Sequence, residues 1–333
     1  SLPVDVVREL TASMDLLSLM NWKWTCRTAY ELVTECLLID RHIAVQPYTP
    51  FPTSLWQLLR EHRAVIGGEV ALRYVLRDFS PHTHALQLFV PLSTSNDFLL
   101  DIDLTLGLHW EHVREYHASD DERSRFFFSK THYYRTPVRT SIAVYICTSE
   151  SALQALVSSW STSLINYLSA ETFGVAYPVL TLGHRALAPP HEQLAPALQR
   201  VYEDQQHSLA IEFSVDTQDW PQFPLSTPTT CPRDFYVCQC QPRFFGDAGS
   251  LVVAYDPLKA SKTSLAQDHR LPFGVTTVWR MCFDFGGGRS CVCRVNDPLL
   301  PGHLLSVTCV VVRDTALRKE EHPFVGYRLL RGM

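Results

Sequence analysis

Apolar side chains recur at three- and four-residue spacing through the first forty residues, in three short runs. Val4, Val6, Val7, Leu10 and Met14 make one stripe, and Leu16, Leu17, Leu19 and Met20 a second. Trp22, Cys26, Ala29, Tyr30, Val33 and Leu37 make a third. This period predicts amphipathic helices. With so little chain between them, three short helices form a compact antiparallel cluster. Pro3 suits the first turn of the first helix, where its missing N–H costs nothing. Asp5 complements the positive end of that helix's dipole.

The pattern then changes. Pro47, Pro50 and Pro52 mark a linker over 43–60 that ends in a short helix at 55–59. Val65 and Ile66 lead into Gly67-Gly68, and Val70, Leu72, Tyr74, Val75 and Leu76 return to helical spacing. Over 85–90 apolar and polar residues alternate, with Leu86, Leu88 and Val90 on one face and Gln87 on the other, as in a half-buried strand. A further helix is expected next, then strands at 125–129 and 141–147. The stretch 152–168 reads as one long amphipathic segment, and Tyr177-Pro178 opens an extended stretch. Prolines punctuate a connector over 189–230 around a helix at 192–202. From Cys231 the texture is strand and turn, with strands expected at 235–238, 250–255, 274–280, 291–295, 304–312 and 324–329. The fold class is therefore α+β. The divisions are a helical cluster at 1–42, the linker, a mixed α/β domain at 61–188, the connector, and a β-rich cysteine-containing region at 231–333.

Composition narrows the function. At 333 residues the length suits about two domains. Lys plus Arg number 29 against 34 Asp plus Glu, a net charge of −5, and charged residues make up only 19%. That argues against a nucleic-acid partner, which needs a dense basic face; Lys130, Arg135 and Arg139 make at most a local patch. No apolar run nears the roughly 18 residues of a membrane span, and no segment reads as a signal peptide. The expected compartment is cytoplasmic or nuclear, with no membrane partner. Of the ten cysteines, Cys26, Cys36 and Cys147 are scattered and the rest crowd the last third. Cys231, Cys238, Cys282 and Cys291 could supply four tetrahedral ligands for zinc. The Cys238-x-Cys240 and Cys291-x-Cys293 spacings lack the two-residue gap of a zinc knuckle, and the alternative is small buried hydrophobes. No nucleophile elbow, Walker loop, zinc-protease motif or dinucleotide fingerprint is present.

The N-terminal forty residues resemble the F-box. They carry Leu2-Pro3-Val4-Asp5, then Met14-Asp15-Leu16, then Cys26-Arg27 and Leu32-Val33, with Asp5 where that family usually has Glu. The resemblance implies a ubiquitin-ligase substrate adaptor. Leu2, Pro3, Leu16 and Leu19 would then form an exposed apolar patch that docks the ligase linker protein, while the rest recruits a protein target.

Residues 62–280 are similar to a set of fungal proteins with a degenerate nucleotidyltransferase fold. The shared steps are Gly67-Gly68, Phe89-Val90-Pro91, Ser161-Thr162 leading to Asn166-Tyr167-Leu168-Ser169 on a helix, and Ala176-Tyr177-Pro178-Val179-Leu180-Thr181. Further on come Phe235-Tyr236-Val237-Cys238, the turn from Arg243 to Ser250, and Phe273-Gly274-Val275 with Val278-Trp279-Arg280. In that turn Gly246 and Gly249 read as positive-φ residues and Asp247 as a turn former, a structural job. An active member would bring Gly67 and Gly68 against a triphosphate. Two carboxylates alternating on the next strand would hold magnesium for phosphoryl transfer. This chain has Ala85 and Gln87 at those places, so the resemblance implies an inactive domain with no catalytic residue and no cofactor. The alternative is a magnesium-dependent nucleotidyltransferase using Gly67, Gly68, Asp101 and Asp103, with Asp101 and Asp103 on one face if 100–104 is a strand; the segment around Phe98, Leu99, Ile102 and Leu106 reads nearly as well as an amphipathic helix with solvated acids.

Overall fold

The structure is a computed structural model that describes residues 4–80, 85–106, 109–115, 128–136, 140–194, 196–215, 236–237, 243–255, 270–271, 275–279 and 309–313. In chain order the first half contains α1 (Val4–Ser13), α2 (Leu16–Lys23), α3 (Arg27–Val45), α4 (Pro52–Glu61), β1 (Val65–Gly67), α5 (Gly68–Leu76), β2 (Leu86–Val90), α6 (Ser95–Leu106), β3 (His109–Glu115), β4 (Phe128–Arg135) and β5 (Ser141–Cys147). The second half contains α7 (Ala152–Leu156), β6 (Asn166–Leu168), β7 (Thr172–Val175), α8 (Pro178–Thr181), β8 (Arg185–Leu187), α9 (Pro196–Ser208), β9 (Glu212–Ser214), β10 (Leu251–Ala254), β11 (Arg270–Leu271), β12 (Val275–Trp279) and β13 (Cys309–Arg313). This is an α+β fold: N-terminal helices, then a mixed sheet with helices flanking it.

Local chemistry sets the helix ends. The Asp15 carboxylate accepts from the Ser18 amide at 2.7 Å and caps α2. Cys26 caps α3, its sulfur accepting from the Ala29 amide at 3.5 Å. Trp22 therefore ends the second helix rather than starting the third. Pro52 opens α4 at a position where the missing N–H is harmless. Arg77 closes α5 in the left-handed conformation, with φ of 56°. Meeting no proline before Pro47, α3 runs on to Val45. The stretch 43–60 contains that helix end and most of α4, with Val45, Tyr48, Leu55, Trp56, Leu58 and Leu59 buried.

The main sheet runs in the order β10-β7-β6-β1-β2-β5-β4-β3. Neighbours are antiparallel except for β2 and β5, which are parallel with Gln87 opposite Ala143. Beside it lie an antiparallel sheet of β11, β12 and β13 and a parallel pair of β8 and β9. Because side chains alternate across a pleat, β2 buries Leu86, Leu88 and Val90 under α2 to α6. Phe89 points the other way, into a core with Leu156 of α7, Leu180 of α8, Phe245 and Trp279.

Two expectations fail over 152–181. The stretch 152–168 is not one amphipathic segment but α7, a 3₁₀ turn at Thr162–Leu164 and β6. The Ser158 and Ser159 hydroxyls donate to the Ala155 and Leu156 carbonyls at 2.6 and 2.7 Å, so side chains end the helix. Pro178 begins a helical turn instead of opening an extended stretch, since its fixed φ also suits a helix start. The strands expected at 250–255 and 274–280 are β10 and β12, and β13 covers part of 304–312. Those expected at 291–295 and 324–329 lie outside the described residues.

Candidate functional site

The step that a phosphate cradle would need is built as a strand ending at Gly67, a helix starting at Gly68, and a strand returning beside them. Gly67 pairs with Gln87 across β1 and β2. Gly68 has φ of +65°, which a Cβ disfavours, and a Cβ built there would overlap the Gln87 side-chain amide. A Cβ on Gly67 would overlap Leu156 Cδ1 and lie 2.6 Å from Phe89 Cε2. The room left by both glycines is thus already filled, by an amide and two apolar side chains.

The amino end of α5 also carries its own anion. Glu69 stands in the first turn, 3% exposed, where the helix dipole favours negative charge. One of its oxygens lies 3.1 Å from Arg73 Nε, and the other accepts from Gln205 Nε2 at 2.8 Å. Gln205 in turn accepts from the Ser163 hydroxyl at 3.0 Å. A triphosphate entering here would meet a buried carboxylate.

The alternative acidic pair is overturned. Asp101 and Asp103 lie on α6, not on a strand. Residues two apart on a helix point about 200° apart, so the carboxylates diverge. Asp101 meets His62 Nε2 at 2.8 Å, and the His62 ring packs edge-on to Phe98. Asp103 lies towards Tyr134, whose phenol is held above its ordinary pKa by burial first and by that carboxylate second. The apolar period Phe98, Ile102, Leu106 is the burial period of α6, and it signalled a helix.

The expected N-terminal patch is also corrected. Leu16 and Leu19 are 1% and 0% exposed and belong to the main core under the sheet. They sit on the side of α2 that packs on α3, so they cannot present a surface. Leu2 and Pro3 lie outside the described residues. On α1 the outward apolar side chains are Val6 and Leu10, 40% and 44% exposed and one turn apart. Arg77 ties this cluster to α5: its guanidinium donates to the Thr11 and Met14 carbonyls at 2.6 and 2.7 Å and to Asp40 at 3.0 Å.

Two buried arginines carry polar networks that reading the sequence missed. Arg73 meets Glu69, Asp78, Asp204 at 3.4 Å and the Ser208 hydroxyl at 2.9 Å, stitching α5 to α9. Arg243 donates to Asp247 at 2.6 and 3.1 Å, to the Ala176 carbonyl at 2.7 Å and to the Tyr236 carbonyl. Its guanidinium lies 4.7 Å from the Tyr177 ring centroid. Burial alone would weaken its charge, but Asp247 more than offsets that and raises its pKa. Asp247 also accepts from the Gly249 amide at 2.9 Å, so the Arg243–Ser250 turn does the structural job its residues suggested. Gly246 has the expected positive φ, 95°. No positive φ marks Gly249; there a Cβ would overlap Tyr236.

Buried Cys147 has its thiol pushed up to about 12 by burial, which leaves it inert at neutral pH. Cys231, Cys238, Cys282 and Cys291 lie outside the described residues. Among the described residues no group of His, Cys, Asp and Glu could hold a metal ion, and no helix is long and apolar enough to cross a membrane. The chain matches no family model, no curated protein and no solved structure.

Proposed function

We propose that this chain is an interaction protein of the adaptor kind. In this reading α1 to α3 form an F-box-like cluster that engages a ubiquitin-ligase linker protein, and the sheet beyond them is a nucleotidyltransferase-like domain without metal chemistry. The observation that carries the loss of chemistry is Gln87 against Gly68. An amide there can accept or donate a hydrogen bond, but it supplies no negative charge to a divalent cation, which favours charged oxygen ligands. Leu156 and Phe89 beside Gly67, and Glu69 at the helix start, add apolar filling and like charge where a triphosphate would lie. The adaptor half rests on the F-box-like motif and on outward Val6 and Leu10, which replace Leu16 and Leu19 as docking residues.

Two measurements test it. Wild type should co-purify with the linker protein, and Val6→Asp with Leu10→Asp should lower that recovery at least tenfold while far-UV circular dichroism stays unchanged. Recovery that is absent for wild type, or unchanged for the variant, removes the adaptor half. Calorimetric titration of wild type with MgATP should give no binding heat. Magnesium-dependent binding would remove the inactive half.

A further inference from the structure

A surface helix is normally fixed to its domain by an apolar stripe. α9 is fixed by polar groups. Among its described residues only Gln205 is buried, at 0% exposed. The Gln205 amide donates to Glu69 at 2.8 Å and its carbonyl accepts from the Ser163 hydroxyl at 3.0 Å. Beside it Asp204 and Ser208 meet Arg73 at 3.4 and 2.9 Å. Leu198 and Val201 are half-buried. The turn before α9 is tied to the helix itself, since His191 meets Glu203 at 3.2 Å and Gln199 donates to the His191 carbonyl at 3.2 Å.

The base from which α9 springs is held by backbone pairing and apolar packing. α9 is the crossover between β8 and β9, which pair in parallel from Arg185 and Glu212 to Leu187 and Ser214. The Glu212 amide donates to the His184 carbonyl at 2.8 Å and the Ala188 amide to the Ser214 carbonyl at 2.9 Å. Just after the helix, Leu209 and Ile211 are buried with Leu72, Leu164 and Ala186. Tyr202 stacks on Phe213 of β9, ring centroids 4.1 Å apart, so this ring rests on the base and not on α5. Between helix and base Ala210 is exposed and has φ of 52°, which turns the chain sharply there. Hydrogen bonds exchanged for bonds to water return most of their energy, and apolar area exposed to water does not. The body of α9 is therefore the low-stability part of this unit, and such parts open without the rest.

We infer that α9 is a lid over the first turns of α5, latched by Gln205, and that it swings away while β8 and β9 stay paired. Shut, it seals the Glu69–Arg73 pair, whose residues are 3% and 4% exposed, at the helix start that follows Gly67-Gly68. Open, it uncovers a guanidinium whose partners Asp204 and Ser208 have left with the helix. The lid thus controls access to the glycine step itself, and it stands whether or not the chain is an adaptor.

The test is hydrogen exchange of the full chain, read by mass spectrometry in water and in mild urea, with phenylglyoxal labelling of Arg73 alongside. In wild type the α9 amides should exchange at least tenfold faster than those of β2 and β5. Their rate should also depend less on urea, because opening a lid exposes less surface than unfolding the sheet. Gln205→Ala should speed both α9 exchange and Arg73 labelling at least tenfold. Val144→Ala, at a buried position of β5, should speed exchange in β2 and β5 and leave α9 exchange and Arg73 labelling at their wild-type rates. Amides of α9 that exchange together with β2 and β5 at one urea dependence, or that speed up in Val144→Ala, overturn the inference. So does Arg73 labelling that Gln205→Ala leaves unchanged, since the helix would then fray without uncovering the pair. A Gln205→Ala chain that does not fold counts against it too, because the sheet does not need a lid in order to form.

Discussion

Two regions of this molecule join a glycine-led turn to a buried arginine, and they treat the arginine's charge differently. After Gly67-Gly68, the Arg73 side chain is 5% exposed and shares its charge among Glu69, Asp78 and Asp204, of which Asp78 and Asp204 are 24% and 41% exposed. In the turn around Gly246, Arg243 is fully buried and has one carboxylate, Asp247, with carbonyls and ring faces for the rest. The first arrangement spreads the charge over several partners, some in water. The second stakes it on one. In both, the glycine's missing Cβ is used by a neighbouring side chain: Gln87 at Gly68 and Tyr236 at Gly249. A glycine-rich turn therefore shows its role through what fills the vacated space, and here that is protein.

The comparison breaks first on the acids. Asp247→Ala leaves a wholly buried guanidinium without its counter-charge and strips the Phe244 and Gly249 amides of their acceptor. The expected loss is about 3–5 kcal/mol in urea denaturation. Asp204→Ala, at a partly exposed member of a shared network, should cost less than about 1 kcal/mol. Equal losses would mean that the number of partners does not decide how much each one matters.

A smaller effect separates the two glycines by cause. Gly68→Ala meets both a positive φ and the Gln87 amide, so it should cost about 1–2 kcal/mol from the backbone plus a steric part. Gln87→Ala in the same chain should relieve the steric part and leave the backbone part, giving a favourable coupling in a double-mutant cycle. If the two substitutions simply add, Gln87 is not what occupies the glycine's space.

This division explains what could be read in the sequence. The strand–glycine–helix–strand step was legible because its signals are local: Gly67-Gly68, then helical spacing, then alternation over 85–90. The Gly246 turn was legible for the same reason. At the α6 acids two patterns competed: Leu100 to Leu104 alternates like a strand, while the period that decides burial, Phe98, Ile102 and Leu106, spans a little over two turns of a helix. Leu16 and Leu19 were misread because an apolar stripe states that a face is buried or sticky without saying which. Arg73 and Arg243 were silent, since Asp204 and Ser208 meet Arg73, and Ala176 meets Arg243, only through tertiary packing.

The smallest effect concerns two arginine-paired carboxylates with opposite pH responses. Burial works against the Asp78 charge, yet the Ser80 hydrogen bonds and Arg73 outweigh it, so its carboxyl sits below the ordinary 3.8. For Asp40 burial wins over Arg77, and its carboxyl sits above that value. A lowered carboxyl pKa adds stability that is present above the unfolded pKa and lost as pH falls through the folded one. A raised one works the other way: folding takes up a proton, and stability rises as pH falls through the folded pKa toward 3.8. Measured against Asp78→Asn, wild type should therefore hold an advantage of under about 1 kcal/mol at pH 6 that vanishes in the window below 3.8. Measured against Asp40→Asn, it should gain on the variant in the window just above 3.8. Parallel slopes for the two variants would mean that burial and the facing arginine balance alike at both sites, and the contrast between shared and solitary partners would then lose its electrostatic basis.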